Sequence, residues 1–392
     1  MLNIEIENLR SIKKQIIQIA PITLLYGPNG SGKSTIMHSL AILKNIVLNP
    51  NQTTDSFFNL GFSNFGGFEQ IVFNHSVEEQ IKLGINCEYN SIQVFYRISL
   101  SKKNGRFGLI ILPWNITLDL EITFPYPTNQ QETVDIEGFS ITWNGILAQV
   151  KSIPTQHITS CSSQELATLL NAHIEIIRKT DFVHLKRGFS KPHYGIVSLA
   201  PPVFTEDEVA TLLANEPYLE GEVSHYLEQI LQKDLRVKMT PGTNLFWLNT
   251  LDKTTGLTTE LVNDGFGINQ VVYLLAKCLY RDTAVVCIEE PEIHLHPKAL
   301  RNLAYALIRM TKDLKKTIII STHSEHFVLA LLSAVAKKEL EPNNLSCYLC
   351  TKDNRESKFE YQGINDNGQI EGGLTSFMEG ELEDLKDILG VK

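Results

Sequence analysis

The pattern of apolar and polar positions predicts strands and a helix at the start of the chain. LNIEIENL (residues 2–9) alternates with period two, which indicates a half-buried strand. ITLLY (22–26) is a short apolar run, typical of a buried strand, and a glycine-rich turn follows it. TIMHSLAILKNIVL (35–48) has helical spacing that stops near Asn49 and Pro50. The first part of the chain is therefore predicted to run strand, strand, turn, helix.

The same elements return in the last third of the chain. Two continuous apolar segments, AVVCIEE (284–290) and KTIIIST (316–322), read as buried strands. Helical patterns lie before, between and after them, at residues 268–280, 297–314 and 326–338. Buried strands that alternate with helices are typical of a parallel sheet covered on both faces. We therefore expect one α/β core that a long insertion divides.

The insertion has two parts of different character. Residues 81–150 are rich in alternating segments separated by Asn, Gly and Pro, which predicts an antiparallel β subdomain. Residues 151–240 are predicted to be mainly helical, without the heptads of a coiled coil. The expected organisation is a first core half (1–80), the β subdomain, the helical insertion, and a second core half (241–392).

Composition and charge narrow the function classes. The 392 residues are 43% hydrophobic and 20% charged, as expected of a folded chain with a sizeable core. Acidic residues outnumber basic ones by 44 to 35, which argues against a bulk nucleic-acid binder but leaves a local basic patch possible. No apolar run approaches the ~20 residues that span a bilayer, and the six cysteines are scattered, so a cytoplasmic protein without a membrane segment is expected.

The turn after the second strand has the spacing of a phosphate-binding loop. Gly27 to Ser34 reads GPNGSGKS and matches G-x-x-x-x-G-K-[ST] at every fixed position, between a predicted strand and helix. Its backbone N–H groups and the helix N-terminus suit a phosphate chain. Lys33 is expected to reach the β- and γ-phosphates, and Ser34 to place its hydroxyl on Mg²⁺. The predicted nucleotide-binding residues are Asn29, Gly30, Ser31, Gly32, Lys33, Ser34 and Thr35.

Two later strands end in residues that suit phosphoryl chemistry. Glu289 and Glu290 come at the end of a buried strand, where α/β sheets bind ligands. We assign Glu289 to Mg²⁺ and Glu290 to orienting and deprotonating the attacking water. His323 follows the next strand and is predicted to hydrogen-bond a γ-phosphate or the water. ATP and Mg²⁺ are therefore the expected ligands.

Taken together, these motifs resemble the ABC-type ATPases, in particular the group around the OLD, RecF and SMC proteins. MLNIEIENLRSIK is similar to the opening strand of that group, and EPEIHLHP (290–297) to its acid site and D-loop. NDGFGINQ (263–270) lies where a signature motif belongs, with Asp264, Gly265 and Gly267 as its candidate residues. Gln70 is the choice for a Q-loop glutamine at the metal, with a surface-loop glutamine as an equally weighted alternative.

The resemblance implies how such a chain works. In that group two heads enclose two ATP molecules, each bound by the P-loop of one chain and the signature of the other. It therefore implies a P-loop fold and a dimer with composite sites that acts as an ATP-driven switch, a homodimer or a dimer with a paralogue. About 65 residues follow His326, too few for the nuclease domain of OLD proteins, so any effector is expected to be a separate protein, in anti-phage defence or a similar system. The alternative is a DNA-binding clamp of the RecF or SMC type.

Four other segments have two interpretations each. Glu292, His294 and His296 have ligand chemistry for zinc but are better explained by the D-loop. Cys347 and Cys350 form a lone C-x-x-C in an apolar run, where packing is favoured over metal or redox use. The basic run at 184–193 has the charge to contact nucleic acid but is expected to be an ordinary solvated loop, and Arg187 in it is a candidate for a regulatory or nucleotide-sensing contact. The acidic amphipathic segment 377–389 could dock a partner.

Overall fold

A computed structural model describes residues 2–89, 92–136, 138–153, 162–199, 205–371 and 373. The chain divides into two compact units, each assembled from separated segments. The first unit comprises residues 1–19, 34–180 and 352–358, and the second comprises residues 20–33, 181–351 and 359–392.

Strands and helices follow one another along both units. The strands of the described residues are β1 (Leu2–Leu9), β2 (Ile12–Ile19), β3 (Ile22–Tyr26), β4 (Ile81–Tyr89), β5 (Ile92–Leu100), β6 (Asn104–Leu112), β7 (Ile116–Thr123), β8 (Glu132–Ile136), β9 (Phe139–Trp143), β10 (Ala148–Ser152), β11 (Thr180–Val183), β12 (Tyr194–Gly195), β13 (Lys233–Met239), β14 (Leu245–Asp252), β15 (Thr258–Glu260), β16 (Val285–Glu289), β17 (Thr317–Thr322), β18 (Leu345–Asp353) and β19 (Glu356–Gln362). The helices are α1 (Lys33–Leu48), α2 (Phe68–Ile71), α3 (Ser163–Leu170), α4 (Ala172–Arg178), α5 (Glu206–Asn215), α6 (Pro217–Leu231), α7 (Phe266–Leu279), α8 (Pro297–Asp313) and α9 (Glu325–Ala336).

The first unit contains an antiparallel sheet with the strand order β2-β1-β4-β5-β6-β7. Alternate residues of β5 are buried, among them Val94, Tyr96 and Ile98, so one face of that strand packs inward. The predicted β subdomain, residues 81–150, begins here as a continuation of the sheet that β1 opens, because β1 pairs with β4 on the side away from β2. A smaller antiparallel sheet, β10-β9-β8, completes that stretch.

The second unit contains the predicted parallel core. Its sheet has the order β11-β16-β17-β3-β18-β19, and β16, β17, β3 and β18 run parallel. The registers place Glu289 beside Ser321, and Thr322 beside Tyr26. The carboxyl ends of three neighbouring strands therefore meet at one edge, which confirms the predicted α/β fold with a parallel core.

Helices of the second unit bury apolar faces in the same core as the central strands. Val272 and Leu275 of α7 and Leu303 of α8 are fully buried there. Lys277 of α7 lies 3.0 Å from Asp181 of the second unit and donates to the carbonyl of Phe182 at 2.6 Å, so this buried ammonium has both charge and hydrogen-bond partners. The ion pair ties α7 to β11.

The stretch predicted as mainly helical, residues 151–240, is only partly so. It contains α3 to α6 but also β11, β12 and β13, and β13 pairs antiparallel with β14. The pairing explains the difference, because strands such as LRVKM gain their partners from a later part of the chain. Among the described residues, no helix combines the length and the apolar character that crossing a membrane requires.

Candidate ATP site

The loop between β3 and α1 has the backbone of a phosphate cradle. Gly27, Gly30 and Gly32 have φ angles of 143°, 77° and 96°, which favour glycine. A Cβ on Gly27 would lie 2.1 Å from the carbonyl oxygen of Cys350 on β18, so only glycine fits there. The space around Gly30 is open. One glycine therefore lets the loop pack on the sheet, and another lets it turn outward.

Lys33 is fixed across this loop. Its buried ammonium donates to the carbonyl oxygens of Gly27 and Pro28 at 2.8 and 2.9 Å. Burial lowers the pKa of Lys33, whereas the nearby carboxylates of Glu290 and Glu292 act to raise it. The amine therefore belongs electrostatically to the same site as the two glutamates.

The remaining loop residues fit a phosphate ligand. The hydroxyl of Ser31 is buried and has no hydrogen-bond partner among the described residues. An unpaired buried hydroxyl is costly unless a ligand or water satisfies it. Asn29 is exposed at the tip, and Ser34 and Thr35 lie in the first turn of α1, where N–H groups lack partners within the helix. These donors suit phosphate oxygens.

The acid that ends β16 and the acid that follows it differ in setting. Glu289 is the last residue of the strand and is buried. Glu290 has a φ of 42°, in the left-handed region that costs a non-glycine residue free energy. Its backbone N–H donates to the carbonyl of Ser321 at 2.8 Å. The chain is thus turned sharply where the second carboxylate projects.

Glu292 organises the end of the neighbouring strand β17. Its Oε1 accepts from the hydroxyl of Thr322 at 2.7 Å and from the backbone N–H of His323 at 3.0 Å. Its Oε2 is buried without a hydrogen-bond partner among the described residues. The sequence suggested a D-loop position for Glu292, with metal ligation as the alternative, and neither predicted these hydrogen bonds to the end of β17.

His323 completes the cluster. Its Nδ1 lies 3.5 Å from Oε1 of Glu290 and 3.4 Å from Oε1 of Glu292, and the side chain is 47% exposed. The structure therefore brings Lys33, Glu290 and His323 to the same edge of the second unit's sheet. An exposed imidazole beside carboxylates can exchange protons and hydrogen bonds with a ligand.

The predicted signature segment packs against the D-loop of its own chain. Gly265 has a φ of 91°, and a Cβ on Gly267 would lie 2.5 Å from the carbonyl oxygen of His294. Phe266 is 75% exposed, with its ring 5.6 Å from that of His294. The small size of Gly267 is therefore required by packing, whatever ligand it meets.

Asp264 is held within the same chain. Its carboxylate accepts from Lys233 at 2.9 Å and from the hydroxyl of Thr250. These contacts anchor the turn before α7 to β13 and β14. Gln70 lies in α2 of the first unit and is exposed, so its assignment to the metal stays a prediction.

Arg187 proves to be a buried part of the site. Its guanidinium donates to the carbonyl oxygens of Glu289 at 2.6 Å and Glu290 at 2.8 Å. Burial lowers the pKa of Arg187 to about 10, and the charges of Glu292, Glu289 and Glu290 oppose that shift. The side chain stays cationic at neutral pH, and it is not available to nucleic acid.

The other segments with two interpretations can also be placed. His294 packs on Phe266, and Nδ1 of His296 accepts from the backbone N–H of Lys298 at 3.3 Å. Cys347 and Cys350 are free and buried. Within the part of the chain that the structure describes, no three His, Cys, Asp or Glu side chains are grouped to hold a metal ion. Segment 377–389 lies outside the described residues.

Comparison with known proteins identifies the family to which the chain belongs. The family model described as AAA ATPase domain matches residues 1–192 and 205–328, so the chain belongs to that family. The protein is an ATP-hydrolysing P-loop enzyme. None of the curated proteins compared with the chain matches it.

Solved structures place the fold among SMC heads. A crystal structure of an SMC head bound to the C-winged helix domain of ScpA has a TM-score of 0.52 at 10% identity, over 93% of this chain and 97% of that one. The SMC head domain from Thermotoga maritima has a TM-score of 0.46 at 9% identity, over 92% and 97% of the two chains. A head with an extended coiled coil, bound to ScpA from Pyrococcus furiosus, has a TM-score of 0.48 at 10% identity, over 99% and 100%.

Proposed function

We propose that the edge formed by β3, β16 and β17 is the hydrolytic ATP site. The observation that carries this proposal is the proximity of Glu290 and His323, which directly follow two neighbouring parallel strands, in the same charge cluster as the P-loop lysine. Lys33 would leave the loop carbonyls to pair with the β- and γ-phosphates, and residues 29–32 with Ser34 and Thr35 would donate to phosphate oxygens.

Two further roles follow from position. Glu290 would accept the proton of the attacking water, because its carboxylate projects from the strand end beside His323. His323 would donate to the γ-phosphate or hold that water. Each role requires the side chain to touch substrate, which its partial exposure permits.

The residues present suit a magnesium ion. Ser34 offers a hydroxyl at the start of α1, and Glu289 offers a carboxylate, the oxygen ligands that Mg²⁺ prefers. When bound with ATP, Mg²⁺ neutralises charge that develops on the phosphates.

We further propose that ATP joins two copies of the chain. Gly265 and Gly267 lie at the N-terminus of α7, which attracts anions, and Phe266 between them is exposed although it is large and apolar. A second copy that brought its phosphates to this turn would satisfy the helix end and cover the phenyl ring. Asp264 would support the turn through its own chain.

A hydrolysis-deficient variant tests the site and the dimer together. We expect Glu290→Gln to bind ATP, to lose turnover by at least a hundredfold and to accumulate as a dimer with ATP, measured by light scattering after size exclusion. Glu341→Gln, at an exposed position, is the matched control and should behave as wild type. Lys33→Ala should bind no ATP and stay monomeric. Normal turnover by Glu290→Gln would contradict the assigned role, and a monomer with ATP would contradict the composite site.

The dimer would act as a switch for a separate effector protein, in anti-phage defence or a similar system. Bound ATP would hold the two copies together, and hydrolysis would release them, so a partner that binds only one state is controlled by turnover. Capture of a partner by Glu290→Gln with ATP, compared with Lys33→Ala, tests this proposal. Equal capture by the two variants would contradict it.

The shared fold with the SMC head bound to ScpA favours a second candidate, a DNA-binding clamp. In that case duplex or single-stranded DNA should raise the ATPase rate severalfold at low salt, with a steep decline as salt increases. Equal rates with and without DNA would leave the effector switch as the better explanation.

A further inference from the structure

A short loop of the second unit, which contains Arg187, is hydrogen-bonded to the backbone of Glu290, the proposed catalytic residue. Nη1 and Nη2 of Arg187 donate to the carbonyl oxygens of two consecutive residues, Glu289 and Glu290, at 2.6 and 2.8 Å. Nη1 also contacts the carbonyl of His184 at 3.3 Å, within the loop itself. Arg187 is only 9% exposed, and its planar fork is well suited to holding two acceptors in a fixed geometry.

The hydrogen bonds from Arg187 are made at a backbone position that is strained on its own. Glu290 has a φ of 42°, a conformation that persists only when surrounding contacts impose it. Its N–H is fixed by Ser321, and its carbonyl is fixed by Arg187. A shift of the peptide on either side would move the carboxylate relative to the phosphate.

The same loop is bound to the predicted signature helix. The side-chain amide of Asn269 on α7 accepts from the N–H of Phe189 at 2.6 Å and donates to its carbonyl at 2.7 Å. Gly188 lies between these two sets of hydrogen bonds with a φ of 122°, and a Cβ there would come within 2.7 Å of Oδ1 of Asn269. Residues 187–189 are therefore held at one end by the backbone of Glu289 and Glu290 and at the other end by α7.

We propose that Arg187 is a positioning residue for Glu290, and that Asn269 makes this positioning depend on the signature helix of the same chain. A phosphate of ATP that binds at the N-terminus of α7 would shift that helix, and Asn269 and the loop would pass the shift to the carboxylate of Glu290 in the same chain. This inference rests on the proposed roles of Glu290 and of the signature. It adds that binding at one composite site prepares the chemistry of the other.

Substitution of the Arg187 guanidinium tests whether this residue positions Glu290. We expect Arg187→Met and Arg187→Lys to lower kcat by about tenfold or more, because small displacements of a catalytic group are costly, while KM for ATP changes less than threefold. Lysine keeps the charge but not the planar fork, so Arg187→Lys should recover more thermal stability than kcat when it is compared with Arg187→Met. Lys316→Met is the matched control, since Lys316 is a buried cation that donates to the carbonyls of Tyr280 and Thr283 beyond the other end of β16.

The control separates positioning from folding. Lys316→Met should lose thermal stability but keep kcat per folded molecule, and Arg187→Lys should do the reverse. Unchanged kcat in both Arg187 variants, or equal loss of kcat in the control, would overturn the positioning role. If Glu290→Gln itself turned over ATP normally, the proposed function would fail instead, so the two failures are distinguishable.

A double-mutant cycle tests the link to α7. Asn269→Ala should lower kcat at saturating ATP, and the Arg187→Met/Asn269→Ala double variant should have the kcat of Arg187→Met alone, because both changes act through one loop. If the kcat losses of the two single variants multiplied in the double variant, or if Asn269→Ala had wild-type kcat, the loop would not connect the signature helix to the carboxylate of Glu290.

Discussion

His173 offers a quantitative check on the packing of the first unit. The side chain lies in α4, is fully buried and packs its ring 4.4 Å from that of Tyr96. Neither ring nitrogen has a hydrogen-bond partner among the described residues. Burial lowers the pKa of His173 from 6.5 to about 3, because the cation would lack both water and a partner. The folded protein therefore favours the neutral ring.

The sign and size of the pH effect follow by linkage. Since the pKa of the folded state lies below that of the unfolded state, the contribution is fully present above pH 6.5 and is lost as the pH falls toward 3. At pH 5 the loss amounts to about 2 kcal/mol of the free energy of unfolding. His173→Phe keeps a ring against Tyr96 and removes this dependence. Any packing strain that phenylalanine adds is independent of pH.

The assay is urea unfolding at pH 7.5 and pH 5.0 in a Trp247→Phe background. Fluorescence then comes from Trp114 and Trp143, both in the first unit. The change in free energy of unfolding between the two pH values should be about 2 kcal/mol smaller in His173→Phe than in its parent. His225→Phe, at an exposed position, is the control and should match the parent. A difference below ~0.5 kcal/mol for His173→Phe would refute the reasoning.

Two further substitutions probe the site. Gly267→Ala should lower both thermal stability and ATP turnover, because its Cβ would meet the carbonyl of His294. The control is Gly221→Ala, in α6 with open space around it, which should stabilise the fold by up to about 1 kcal/mol. Equal melting temperatures of the two variants would contradict the clash. Glu292→Gln can still accept both hydrogen bonds that hold the end of β17 and should retain at least tenfold more turnover than Glu292→Leu, while equal losses would point to the charge instead.

The local motifs were predictable because their physics is local. A P-loop needs glycines at fixed spacing between a strand and a helix, and GPNGSGKS supplies them within eight residues. The strands at 285–289 and 317–322 were evident because burial on both faces makes them continuously apolar. Adjacent parallel strands then bring their carboxyl ends together, as the prediction for Glu289 and His323 required.

Pairings between distant segments could not be predicted in the same way. β1 pairs with β4 although some 70 residues separate them, and alternation along either strand does not identify its partner. The organisation expected for residues 81–150 and 151–240 followed changes in composition. Among the described residues, the structure groups 34–180 with the first strands, and 181–240 with the parallel core.

Arg187 shows why a site extends beyond its motifs. Its partners are carbonyl oxygens, which every residue carries, so no pattern of side-chain types could have identified the contact. The basic run around it suggested a solvated loop, yet the arginine is buried because the strand end requires donors for carbonyls that the sheet leaves unpaired. Glu292 satisfies an N–H at the end of β17 in the same manner. The motif residues supply the chemistry, and these two side chains supply the backbone geometry. Changes at Arg187 or Glu292 should therefore reduce catalysis more than nucleotide binding.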